Sequence, residues 1–146
     1  MRDVMLFISE NIILFIIWFF FLVLAIFLSI RNIFIKSKII NNIQAIKLIN
    51  QHRAIIIDTR SSDFFNKGHI VNSINFPLNK IFLSNFKEIE IYKSSPIILI
   101  LNETYKYNKC IQAFLKYGFN HIYILNNGIH SWNLEYLPLV TKEKKS

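Results

Sequence analysis

The chain of 146 residues holds one thiol, Cys110, at the end of ILILNETYKYNKC (98–110), where an apolar run gives way to a polar loop. A thiol becomes a strong nucleophile once ionised, which calls for nearby positive charge or a helix N-terminus, and for access to water. Cys110 thus has two readings: a nucleophile presented by the loop after a strand, or a buried, inert helix residue. Asp58 and Arg60, two positions apart at the end of another apolar run, can form an ion pair, or Arg60 can bind loop carbonyls. His69 directly follows Gly68, and Glu103 and Lys106 lie within the polar loop. His52, His121 and His130 lack clustered Cys or Asp partners, so neither a metal nor a cofactor is expected.

These residues need elements to position them. AIIID (54–58) and PIILIL (96–101) are short and apolar on both faces, as buried parallel strands are. HIYIL (121–125) reads as a third strand and SINFP (73–77) as a short one stopped by Pro77. Asn41 or Asn42 can cap a helix through IQAIKLINQ (43–51), where Ile43, Ile46 and Ile49 share a face. SSDFFNKGH (61–69) reads as a capped short helix ended by Gly68, and residues 78–92 as a helix with irregular ends. KYNKCIQAFLKYGF (106–119) is helical, with Ile111, Phe114 and Leu115 inward and Gly118 as its stop; a last short helix precedes Pro138. Strands alternating with helices predict an α/β fold with a parallel sheet flanked by helices.

Asn11 to Ile30 contains no charge in 20 residues. A helix of that length spans roughly 30 Å, the thickness of a bilayer's hydrocarbon core. It has no polar face, and neither a basic start nor a small-residue cleavage site marks it as a signal peptide. The expected organisation is a short N-terminal tail (1–10), a transmembrane helix (11–30), a basic linker (31–41), the α/β domain (42–140) and a charged tail (141–146). Only Arg2 precedes the span, whereas Arg31, Lys36, Lys38 and Lys47 follow it. The excess of positive charge predicts the N-terminus outside and the domain in the cytoplasm. Net charge is +8 overall; sixteen basic and seven acidic side chains follow residue 30, a net +9 that suits anionic lipid headgroups. No Arg-rich stripe, zinc pattern or recognition helix is present, so nucleic acid is not an expected partner. One cysteine excludes an internal disulfide and fits a reducing compartment. Abundant Ile, Asn, Lys and Phe, with three Gly and three Pro, point to an AT-biased genome.

IIIDTRSSDFFNKGHIVNSINFPL resembles the first signature of the rhodanese-like domain family: an apolar strand, Asp58-x-Arg60, the aromatic Phe65, Gly68-His69-Ile70, then Ile74-Asn75 and Pro77. YGFNHIYILNNGIHSWNLEYLPLV is similar to its C-terminal signature, with Gly118-Phe119, a strand, a Gly turn, Trp132 and a closing Leu-Pro. With a helix in front, the chain resembles the membrane-anchored, single-domain bacterial members. The resemblance implies a structural role for Asp58, Arg60, Gly68, His69, Asn75, Pro77, Gly118 and Trp132. It also implies sulfur transfer through a cysteine that closes the central strand, followed by Gly three positions on, Arg five on, Ser six on and Gly-Phe seventeen and eighteen on.

Counting back seventeen from Gly118 reaches Leu101, and the loop runs Asn102, Glu103, Thr104, Tyr105, Lys106, Tyr107. Its length matches the family and its chemistry does not. Thr104 stands at the Gly position, Lys106 at Arg and Tyr107 at Ser, Glu103 adds negative charge, and leucine cannot carry sulfur. Cys110 lies nine positions past Leu101, where the family places a small core-facing residue. The expectation is a catalytically inactive rhodanese-like domain acting as a binding or scaffold module at the membrane, its partner another membrane protein or a small anionic ligand. The alternatives are a thiosulfate or persulfide sulfurtransferase using Cys110 and, last, a phosphatase-like variant, which the missing Cys-x5-Arg pattern disfavours.

Overall fold

The computed structural model describes residues 1–36 and 39–142. The chain divides into two compact units, Met1–Ser37 and Lys38–Ser146. In the first, α1 (Arg2–Glu10) precedes α2 (Ile12–Lys36), whose stretch Ile12–Ile30 is long and apolar enough to cross a membrane and contains no buried residue.

In the second unit, consecutive isoleucines build the sheet. β1 (Ile39–Ile40), β2 (Ile55–Asp58), β4 (Ile74–Asn75), β5 (Ile97–Ile100) and β6 (Ile122–Leu125) form one parallel sheet in the order β1-β6-β5-β2-β4. Period-2 alternation splits each strand between two cores. Ile57, Ile97, Leu99, Leu101, Ile122 and Ile124 face one core, while Ile40, Ile56, Ile98, Ile100 and Leu125 face the other. The first core is closed by α5 (Leu78–Phe82), a 3-10 turn at Lys87–Tyr92 and α6 (Tyr107–Lys116), which contribute Ile81, Ile89, Ile111 and Phe114. The second is closed by α3 (Asn42–His52) and α7 (Gly128–Leu134), through Ala45 and Trp132. A short helix α4 (Ser62–Lys67) leads into β3 (His69–Ile70), which pairs antiparallel with β7 (Leu139–Val140).

Several details depart from the sequence reading. The segment assigned as linker holds β1, whose Ile39 and Ile40 register against Ile124 and Leu125 of β6. Two residues are too few to show a period, so only the partner strand defines them. Asn41 is the cap of α3: its side chain accepts from the Gln44 N–H while the Gln44 side chain accepts from the Asn41 N–H. Ser61 stands at the start of α4 but makes no side-chain cap bond, and Gly68 is extended at φ 169, so its freedom to adopt positive φ is not used. Gly118 does adopt positive φ, at +94, where α6 stops. The helix expected at 78–92 is broken after α5 by Ser84, at φ +60.

Candidate functional site

β2 and β5 lie side by side with Asp58 opposite Ile100, so their carboxyl ends share the edge where α/β proteins gather polar groups. A cavity of about 530 Å³ opens there. Thr59, Arg60, Ser61 and Ser62 line it beyond β2, Phe64 comes from α4, Pro77 to Asn79 from the entry to α5, and Leu101 to Glu103 from the loop after β5. Thr59 is tied to the strand beside it, its hydroxyl donating to the Ile100 carbonyl at 2.7 Å. The sequence places the whole loop Leu101 to Tyr107 at the site; Leu101, Asn102 and Glu103 line the cavity, Thr104, Tyr105, Lys106 and Tyr107 do not because the 3-10 turn carries them past it, and Thr59, Ser61, Ser62, Phe64, Leu78 and Asn79 were missed. Their position just beyond β2, or facing it, was the available signal.

Asp58 is fully buried and its carboxylate receives Arg60 in a fork. Arg60 Nε reaches Oδ1 at 3.0 Å and Oδ2 at 3.1 Å, Nη2 reaches Oδ2 at 2.6 Å, and the Arg60 backbone N–H also donates to Oδ1. The same Nη2 donates to the Gly68 carbonyl at 2.7 Å, so one guanidinium joins the end of β2 to the end of α4. Asn75 closes the loop from β4, its amide donating to the carbonyls of Asp58 and Arg60 at 3.2 and 2.8 Å. These contacts satisfy backbone groups and leave the guanidinium committed to protein acceptors. His69 is buried, with Nδ1 2.8 Å from the Phe65 carbonyl and its ring stacked on Phe65 at 3.8 Å. Trp132 is anchored in the second core by donation to the Pro138 carbonyl at 3.2 Å. Pro77 precedes the first turn of α5.

The loop 101–107 keeps to right-handed and extended backbone. It contains a 3-10 turn at Thr104–Lys106, and none of its residues has positive φ. The carboxylate of Glu103 pairs with Lys106 three positions on. That hydrogen bond, together with one to Tyr105, lowers the Glu103 pKa and raises that of Lys106. The loop's cation is thus neutralised within the loop. Tyr107 is buried against the first core and its hydroxyl has no hydrogen-bond partner. Burial raises its pKa. Gly128, at φ +53, packs on the same loop: a Cβ there would meet the Leu101 carbonyl oxygen at 2.9 Å and Asn102 Oδ1 at 3.2 Å.

Leu101 forms part of the cavity wall and is 1% exposed. Cys110 lies in α6, fully buried with Ile111 and Phe114. Burial pushes its thiol up to about 11, against the opposing pull of Lys106 and Lys109. Cys110 does not line the cavity. Among the described residues, no group of three or more His, Cys, Asp or Glu side chains is placed to hold a metal ion.

The model of the rhodanese-like domain family matches residues 42–135. The chain is 55% identical to the protein BU052 of Buchnera aphidicola subsp. Acyrthosiphon pisum, over 99% of this chain and 100% of that one. It is 34% identical to YibN of Escherichia coli K12, over 96% and 98% of the two chains. The crystal structure of a rhodanese-related protein from Thermoplasma volcanium superposes with a TM-score of 0.61 at 24% identity, over 72% of this chain and 99% of that one, and shows the same fold. The family model and the full-length relatives agree with the fold: the chain belongs to the rhodanese-like domain family.

Proposed function

We propose that the chain is a membrane-anchored rhodanese-like domain without sulfur-transfer activity, working as a binding module at the cytoplasmic face of the inner membrane. One observation carries this reading. The strand end that opens onto the cavity presents a hydrocarbon side chain, Leu101, while the single thiol is fully buried in α6. Sulfur transfer needs a thiolate that can reach the outer sulfur of a donor and hold it as a persulfide. Leu101 has no such group, and Cys110 is both protonated and enclosed at neutral pH.

The electrostatics favour a protein partner over a small anion. Arg60, which lines the cavity, is committed to Asp58 and the Gly68 carbonyl, and Lys106 in the adjoining loop is paired with Glu103. A cavity of about 530 Å³ rimmed by exposed Phe64 and flanked by exposed Tyr105 suits an inserted side chain of a neighbouring membrane protein. The helix Ile12–Ile30 supplies the anchor, and the basic residues that follow it favour a cytoplasmic domain.

The full chain in lipid nanodiscs should release no thiocyanate from thiosulfate and cyanide. Turnover that Cys110→Ser abolishes would establish the sulfurtransferase alternative instead. A photo-crosslinking side chain at Tyr105 in native membranes should capture a discrete protein neighbour. A crosslink pattern no different from that at exposed Glu135 would count against a binding module.

A further inference from the structure

From Asn11 to Ile57 the chain has no acidic residue, and between residues 31 and 57 it has five basic ones. This asymmetry extends into the folded domain. β1 begins three residues after α2 ends, and α3 follows β1 directly. On α3, Ile43, Ile46 and Asn50 follow one another at helical three- and four-residue steps, with Lys47 beside them, and Arg53 caps the helix at φ +51. Ile43 is 74% exposed, and neither Lys47 nor Arg53 pairs with a carboxylate among the described residues.

Beside this stripe lies a second cavity of about 410 Å³, unrelated to the candidate site. Ile46 and Ile49 of α3, its cap Arg53, the exposed Val71 and Trp132 are among the residues that line it. Ala54 and Ile55, at the amino end of β2, also border it, whereas the candidate site opens at the carboxyl end of the same strand.

We propose that the α3 face and this groove form a docking surface for an anionic phospholipid bilayer. Lys47 and Arg53 meet lipid phosphates, and Ile43 with the groove takes up acyl-chain surface. Charge complementarity selects this occupant, because basic side chains around an apolar patch, on a segment without a carboxylate, match a surface of negative headgroups over hydrocarbon. Continuity of the chain selects it too, since a domain tethered eight residues after an apolar span meets the bilayer at high effective concentration. Docked in this way, the surface leaves the candidate site at the opposite strand ends free for a protein partner. The inference rests on the reading of Ile12–Ile30 as a membrane span.

The chain has two tryptophans, Trp18 in the apolar helix and Trp132 at the groove, which allows the two readings to be tested separately. The full chain with Trp18→Phe is placed in nanodiscs of phosphatidylcholine mixed with phosphatidylglycerol, with or without bromine on the acyl chains. Brominated lipid should quench Trp132 emission roughly twofold. Lys47→Glu with Arg53→Glu should restore the emission, as should about 0.5 M salt, which shortens the Debye length to roughly 4 Å. Unchanged Trp132 emission in brominated phosphatidylglycerol discs would overturn the docking surface. Quenching that persists without phosphatidylglycerol or in high salt would overturn its anionic character. Trp132 shielding that depends on two chains per disc would assign the groove to a second copy. In a parallel Trp132→Phe chain, Trp18 must be quenched whether or not the domain docks. Its failure to quench would sink the membrane span itself.

Discussion

Reactivity of Cys110 offers the most direct test of the argument from burial. The thiol is fully enclosed in α6, and burial raises its pKa from 9.0 to about 11. At pH 7.5 an ordinary thiol of that reference value is ionised in roughly one molecule in thirty, but a thiol at about 11 in only about one in three thousand. Attack on the native chain is therefore slowed about 100-fold by ionisation alone, before the lack of a path for the reagent is counted. The other route is opening of the domain. There the normal pKa returns, but an opening cost of about 5 kcal/mol reduces the reactive population by three to four powers of ten. A disulfide reagent added to the full chain in nanodiscs should thus modify Cys110 at least roughly 1,000-fold more slowly than after denaturation. The same burial makes a prediction at high pH. A raised folded-state pKa means that the native state holds its proton where the unfolded state has lost it. That contribution is intact below about pH 9 and is lost as pH rises through about 11. Two units correspond to about 2–3 kcal/mol, read as the stability difference between wild type and Cys110→Ala across that window. Native labelling within tenfold of the denatured rate, or a persulfide on Cys110 after incubation with thiosulfate, would refute the reasoning.

Leu101→Cys in a Cys110→Ala background places a thiol at the cavity wall, at a position only 1% exposed. The variant should still support no thiocyanate release, because Glu103 holds Lys106 and the loop adopts a 3-10 turn. Gly128→Ala should cost about 2–4 kcal/mol, combining left-handed strain with a Cβ 2.9 Å from the Leu101 oxygen. Gly68→Ala, at extended φ and 3.8 Å from its nearest neighbour, should change stability by less than about 0.5 kcal/mol in the same denaturation assay. Asp58→Ala should cost about 3–5 kcal/mol, because Arg60 would lose its carboxylate in a largely buried site. Tyr107→Phe should raise stability by about 1 kcal/mol, since it removes a buried hydroxyl that has no partner.

The parts of this fold legible in the sequence are those whose burial is two-sided or periodic. β2, β5 and β6 appear as unbroken apolar runs because both faces are covered, and α6 shows because Ile111, Phe114 and Leu115 recur on one face, the last of them only partly buried. β1 was hidden, since two isoleucines within a basic segment become a strand only when β6 lies beside them. β3 and β7 were hidden for a related reason: His69 pairs with Val140 across most of the domain, and no local pattern announces so distant a ladder. At the site, the strand ends located Asp58, Arg60 and Leu101. The cavity's other walls come from Ser61, Ser62, Phe64 and Asn79, brought together only by tertiary folding. Glu103 shows the limit of counting charges along a chain. It reads as an unopposed negative charge at an anion site, whereas in the folded loop its partner is Lys106, one 3-10 turn away.

The interactions that resemble an intact enzyme and those that would make one are physically separable here. Arg60 joins the carboxylate of Asp58 to the carbonyl of Gly68, and Asn75 joins the carbonyls of Asp58 and Arg60 to β4. Every contact in that network satisfies a protein group, and removing one would leave a buried polar group unpaired, whatever chemistry the cavity performs. The network therefore carries no information about catalysis. The loop after β5 does, because Leu101, Asn102 and Glu103 line the cavity. There the chain presents leucine, a self-neutralising Glu103–Lys106 pair and no left-handed residue. A scaffold can keep the first set for stability alone, so on the function proposed above the family's shape and the family's reaction come apart at Leu101.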